Sequence, residues 1–211
     1  MNKKSGFLAL MLILALAVSA ISQDDDENWR SFEVVAFGGL SLPSGSLSDW
    51  NDTLGAEMGF NLGLAGGYYF TEKICAGIYF DYTQFGIEDY SLKYRLYNAG
   101  VYGKYCFVGE SNFEPYVKIS AGGVWPKFAT WIGPDKNVLR ELSYDPALNV
   151  GLHVGALYYT ADFGGIFLEV GYQMDMLKDA KGDYGGDEFK LADNVNYINI
   201  RAGLNVFFGP E

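Results

Sequence analysis

Residues 58–70 read MGFNLGLAGGYYF. In an extended chain Met58, Phe60, Leu62, Leu64, Gly66, Tyr68 and Phe70 fall on one side, and Gly59, Asn61, Gly63, Ala65, Gly67 and Tyr69 on the other. Strand side chains alternate with period two, so this stretch predicts a long strand with one greasy face and one small or polar face. The same reading recurs in seven further segments: Phe32–Leu42, Ile74–Phe85, Tyr94–Phe107, Phe113–Trp125, Ala147–Tyr159, Ile166–Met176 and Val195–Phe208. The last is the clearest of these. Ile198, Ile200, Ala202, Leu204, Val206 and Phe208 lie against Tyr197, Asn199, Arg201, Gly203 and Asn205.

The connections alternate as well. Thr71–Lys73, Val108–Asn112 and Thr160–Gly165 are short, whereas Pro43–Glu57, Gly86–Lys93, Pro126–Pro146 and Leu177–Asn194 are long and rich in Asp, Asn and Pro. The greasy faces carry no charge between their aromatic ends, where a Lys or Arg facing a bilayer midplane costs about 2–4 kcal/mol. Aromatics gather at both ends: Tyr68, Phe70, Tyr105, Phe107, Tyr158 and Phe208 at one, Phe80, Tyr82, Tyr97, Trp125 and Tyr172 at the other. The expected fold is all-β: a closed, antiparallel, eight-stranded transmembrane barrel of up-and-down meander topology. Closure leaves no strand edge unpaired in lipid. A soluble lipocalin-like carrier is the structural alternative, but it would turn its apolar face inward.

Composition agrees with this address. The 211 residues include 16 Tyr, 15 Phe and 27 Gly, only 19% are charged, and the net charge is −11, which argues against nucleic acid as a partner. Lys3 and Lys4 followed by the apolar run Phe7–Ile21, with cleavage after Ala20 or Ser22, read as a secretory signal peptide over residues 1–22. A short acidic segment (23–31), the barrel (32–208) and a C-terminal tail (209–211) complete the expected organisation. Both termini then lie in the periplasm and every long loop lies outside the cell.

The strand count, the turn–loop alternation and the segment Tyr197–Phe208 resemble the small eight-stranded outer-membrane barrels of the OmpA/OmpX type over nearly all of the chain after residue 22. That resemblance implies a Gram-negative outer-membrane location, outer-membrane lipid as surroundings, and delivery by the barrel-assembly machinery. It also implies that Phe208 is the aromatic of the assembly signal, although Gly209, Pro210 and Glu211 follow it here.

Glu33, Asp81, Lys104, Lys118, His153, Glu169, Gln173 and Arg201 have inward parity. An eight-stranded barrel has a lumen just wide enough to be filled by side chains. Opposite charges there should pair, because an unpaired buried charge costs several kcal/mol. Wall adjacency suggests two clusters, Glu33 with Glu169 and Arg201, and Asp81 with Lys104 and Lys118. His153 shares no inward neighbour on its strand with Ser or Asp, so it reads as a packed residue. The sequence offers no catalytic, cofactor or metal site, and the chain reads as a non-enzyme. Cys75 and Cys106 lie near the turn end of a predicted antiparallel pair, and the sequence leaves both a disulfide and two buried thiols open. Asp179, Asp183, Asp187 and Glu188 lack the spacing of a calcium loop and read as solvated. The expected role is structural, or loop-mediated binding of an extracellular partner, by a monomer. A narrow pore for small solutes or ions is the alternative, and a lipid-modifying enzyme fits less well.

Overall fold

The computed structural model describes residues 31–48, 55–87, 90–107, 109, 111–132, 138–161 and 163–209. The segment read as a signal peptide, all but the last residue of the acidic segment, and residues 210–211 of the tail lie outside the described residues.

Antiparallel strands β1 (Phe32–Ser44), β2 (Ala56–Tyr69), β3 (Ile74–Ile87), β4 (Tyr90–Cys106) and β5 (Phe113–Ile132) form five of the eight staves of the wall. β7 (Ala147–Ala161), β8 (Gly164–Asp175) and β11 (Val195–Phe208) form the remainder. β1 pairs with both β2 and β11, from Phe32↔Phe208 to Ser44↔Asn196, so the wall closes on itself. The expected eight-stranded meander is the observed one. Short connections mark one rim, here the turn end, and long ones the loop end.

The strands differ from expectation mainly at the loop end. β5 continues to Ile132 and pairs with β6 (Val138–Ser143), from Lys127↔Ser143 to Ile132↔Val138. Lys127, Arg140 and Glu141 make this stretch look like loop, yet Phe128, Ile132 and Leu142 are buried and keep the strand alternation. In the final connection β9 (Lys181–Tyr184) and β10 (Asp187–Lys190) form a small hairpin. Gly185 and Gly186 turn it with φ of 65° and 94°, a region that favours glycine.

Outside, the polarity of a soluble protein is inverted. Val34, Leu62, Leu64, Ile78, Val101, Ile119, Leu152, Leu168 and Leu204 are all exposed, Ile78 to 68%. Soluble monomers rarely present apolar patches beyond a few hundred Å², and this belt draws on every wall strand. Aromatic rings edge it. Phe32 and Tyr68 meet at 5.0 Å and Tyr105 and Phe107 at 5.2 Å near the turn end. Tyr82 lies 6.0 Å from Phe60 and 5.1 Å from Tyr97 toward the loop end. Such belts place rings with an apolar body and a polar tip at the two edges of the hydrocarbon. This is the exterior of a transmembrane barrel, and a lipocalin-like arrangement is ruled out by it.

Inside, the chemistry is layered. Tyr69, Cys75, Tyr102, Cys106, Tyr116, Leu157, Phe167 and Phe207 pack near the turn end. Charged and carboxamide side chains fill the middle. At the loop end the inward faces turn apolar, where Leu47, Phe85, Leu96, Phe128, Leu142 and Leu177 pack together.

Candidate functional site

The lumen brings charged residues and a histidine from seven strands together. Glu33 on β1 is 2% exposed. It accepts from Tyr69 Oη at 3.0 Å, Tyr102 Oη at 2.8 Å and Asn205 Nδ2 at 2.8 Å, and it pairs with the Lys104 ammonium from β4. The Cys75 thiol donates to its other oxygen at 3.4 Å. Lys104 in turn sits 5.0 Å from the centre of the Tyr69 ring and 5.5 Å from that of Tyr116, where the ring quadrupole attracts a cation.

Glu169 on β8 organises the next layer, and its two oxygens divide the work. Oε2 takes Lys118 Nζ at 2.5 Å and Tyr116 Oη at 3.0 Å. Oε1 faces His153 Nδ1 at 3.1 Å, with Arg201 Nη1 further off at 3.7 Å. Arg201 makes its closer contact with Asp81, at 2.9 Å, and lies over the Phe37 ring. Asp81 also accepts from Asn98 Nδ2 at 2.8 Å.

The charges therefore pair across the bore rather than around the wall. Glu33 meets Lys104, and Lys118 meets Glu169, whereas wall adjacency put both lysines with Asp81 and set Glu33 beside Glu169 and Arg201. The lumen is narrow enough for a long Lys or Arg side chain to cross it, so reach outweighs strand adjacency. Arg201 and Glu169 are direct register partners on β11 and β8, yet the guanidinium finds its better geometry on Asp81.

Sequence reasoning passed over part of this layer. Tyr79 Oη and Gln173 Nε2 donate to Asn149 Oδ1 at 2.8 and 2.6 Å, and Asn149 Nδ2 donates to Asp175. Inward parity with Gln173 and Glu169 could have found Asp175. Ser120 was missed because only the strand of His153 itself was searched. Its Oγ lies 3.5 Å from His153 Nε2, from the neighbouring strand β5. His153 is packed in the lumen, as expected, and is bracketed there by a serine and a carboxylate from the two neighbouring strands.

Cys75 and Cys106 are both buried and free, so the disulfide alternative is not realised. The register explains it. Cys75 pairs with Lys104, and the Cys106 N–H donates to the Lys73 carbonyl, placing the two thiols on a diagonal. Diagonal neighbours are about 7–8 Å apart, against the Cβ separation of about 3.5–4.5 Å that a disulfide needs.

A cavity of about 40 Å³ remains among Lys118, Ser120, His153, Leu157, Phe167 and Glu169 and their neighbours. That holds a few waters at most. Above it lies the apolar packing of the loop end. Among the described residues no group of three His, Cys, Asp or Glu is placed to hold a metal ion. In the last connection Glu188 is bound by Lys181 at 2.9 Å and Lys190 at 3.6 Å.

No protein-family model matches the chain, and no curated protein matches it. Solved structures do match. Neisserial surface protein A shares 20% identity over 84% of this chain and 97% of its own, with a TM-score of 0.57. The outer membrane protein OprG from Pseudomonas aeruginosa shares 15% over 85% and 99%, with a TM-score of 0.52. The outer membrane protein AlkL, solved in DMPC bilayers, shares 15% over 89% and 95%, also at 0.52. At these identities the likeness is one of fold: the chain is built as a small eight-stranded outer-membrane barrel.

Proposed function

We propose that this chain is an exported, integral outer-membrane barrel whose lumen is a structural plug and whose loop end is an interaction surface. The observation that carries this is the filling of the bore. Paired charges occupy its middle, and apolar side chains from β3, β4, β5, β6 and the last connection close its loop end. Nothing about that interior favours passage of a solute from one rim to the other, so the recognition chemistry offered to the outside is displayed by the connections. Loops on a rigid scaffold are where recognition normally resides. β5 and β6 rise beyond the belt as a hairpin held to the wall by Arg95–Glu141 at 3.0 Å.

On this reading residues 1–22 are removed on export, 32–208 form the barrel, and both termini lie in the periplasm. Phe208 ends the strand presented to the assembly machinery, and the mature protein is a monomer surrounded by outer-membrane lipid. The proteins it resembles are named as a surface protein and as outer membrane proteins, which is compatible with a role at the cell surface. The test pairs planar-bilayer recordings with an adhesion assay on cells. The account expects no discrete conductance steps, and adhesion reduced when the β5–β6 hairpin is replaced by a short turn. Regular single-channel steps would instead support the narrow pore.

A further inference from the structure

We infer that Ser120, His153 and Glu169 form a nucleophilic relay inside the lumen, able to take an acyl or sulfonyl group from a small, uncharged electrophile such as a short-chain ester. This goes beyond the surface role proposed above and does not depend on it. The three residues come from the consecutive wall strands β5, β7 and β8. Each faces a glycine in register on its neighbour: Ser120↔Gly151, His153↔Gly171 and Gly155↔Glu169. Gly151 and Gly171 leave the serine and the imidazole the room they take up, whereas the Tyr116 ring enters the space over Gly155 beside Glu169.

The contacts fix the roles. His153 Nδ1 and Glu169 Oε1 are 3.1 Å apart, and neither atom makes a hydrogen bond with any described residue, so each is the nearest polar group left to the other. Glu169 keeps its second oxygen for Lys118 and Tyr116. A neutral imidazole with its proton on Nδ1 needs only a small turn of the ring to donate it to Glu169 across that distance. That leaves Nε2 as an acceptor, turned toward Ser120 Oγ at 3.5 Å. Serine to imidazole to carboxylate is the constellation that activates a hydroxyl, and it is recognised by geometry rather than by chain order.

Space for a reacting atom is also present. A Cβ added at Gly151 would lie 2.6 Å from Ser120 Oγ, 2.7 Å from His153 Nε2 and 2.9 Å from Gln173 Oε1. No methyl fits there, so glycine is what lets the three groups converge, and the space for a reacting atom is the adjoining cavity. A methyl at Gly171 would strike the imidazole itself, so that glycine is what lets the ring lie where it does. Ser120 is half-buried and lines the cavity of about 40 Å³. The bore therefore limits the electrophile to a few heavy atoms.

The step balances without a cofactor. As Oγ bonds to the acyl carbon, its proton passes to Nε2 and the carbonyl pair moves onto oxygen. Collapse of that adduct breaks the carbon–oxygen bond to the leaving group, which takes the proton from Nε2 and departs as an alcohol. With a sulfonyl fluoride, the oxygen–sulfur bond forms, the sulfur–fluorine bond breaks, and fluoride leaves with the proton.

Methanesulfonyl fluoride is the probe, applied to the folded protein in detergent micelles and followed by intact mass and peptide mapping. The expected result is one sulfonyl group per chain, on Ser120, and none on Ser120→Ala. Labelling should slow at least about a hundredfold in His153→Gln, the scale of lost base catalysis. Gly151→Ala keeps serine and histidine but forces a methyl between Oγ and Nε2, and it should abolish labelling. Retention of the fold is checked by heat-modifiable electrophoretic mobility. An unlabelled wild type, an adduct on another residue, or an unchanged rate in a folded His153→Gln protein would each overturn the relay.

Discussion

Lys104 shows what a single side chain does in this lumen. Among the described residues its ammonium is the only cation paired with Glu33, and the two side chains are 6% and 1% exposed. Removing one member of a buried pair leaves the other uncompensated and costs about 3–5 kcal/mol. Lys104→Met should therefore unfold at lower urea in micelles by that amount, and adding Glu33→Gln should recover part of the loss. Equal stability of Lys104→Met and the parent would show that the pair carries nothing. The ionisable residues of the bore were legible one by one, because charge at inward parity has nowhere else to go. Their pairing was not. Parity places a residue on a face, whereas the crossing of Lys118 to Glu169 depends on the bore's width and on side-chain reach. Ser120 shows the same limit: a serine gains meaning only from the histidine that β7 sets beside it.

Register is the corresponding question for strands. The pairing of Cys75 with Lys104 keeps the thiols apart, so the unfolded, unreduced protein should titrate two free thiols. A count near zero would require a register shifted by two residues. The wall strands were readable because their alternation is long and unbroken, as in Met58–Phe70. β6 was not, since Arg140 and Glu141 lie among its few residues and its apolar partners sit on β5. The β9–β10 hairpin was hidden by its acidic composition. Its Glu188 carboxyl is held below its ordinary value by the hydrogen bond from Lys181. A lowered carboxyl stabilises the fold above its unfolded value and ceases to do so as pH falls through the folded one. Cross-strand amide signals of Gly182 and Phe189 should accordingly shift only in acid, below the usual carboxylate range, and the effect is small because the pair is exposed. Signals that move instead near the ordinary carboxylate value would show that the contact is not formed.

For the whole molecule, everything follows from an inside-out distribution of polarity. An aqueous protein hides its leucines; this one exposes Leu64 to 60% and Ile119 to 63% while burying Glu33, Asp81, Glu169 and Arg201. Each apolar side chain taken from water contributes roughly 1.5–3 kcal/mol, so the belt makes lipid the only tolerable surroundings. The interior charges then need each other. The most direct test places environment-sensitive labels at Leu62, Val117 and Ile200, each exposed in the belt, in protein reconstituted into bilayers. Emission typical of hydrocarbon, quenched by lipid-borne and not by water-soluble quenchers, is the predicted result. Quenching from the aqueous phase at all three positions would contradict the account.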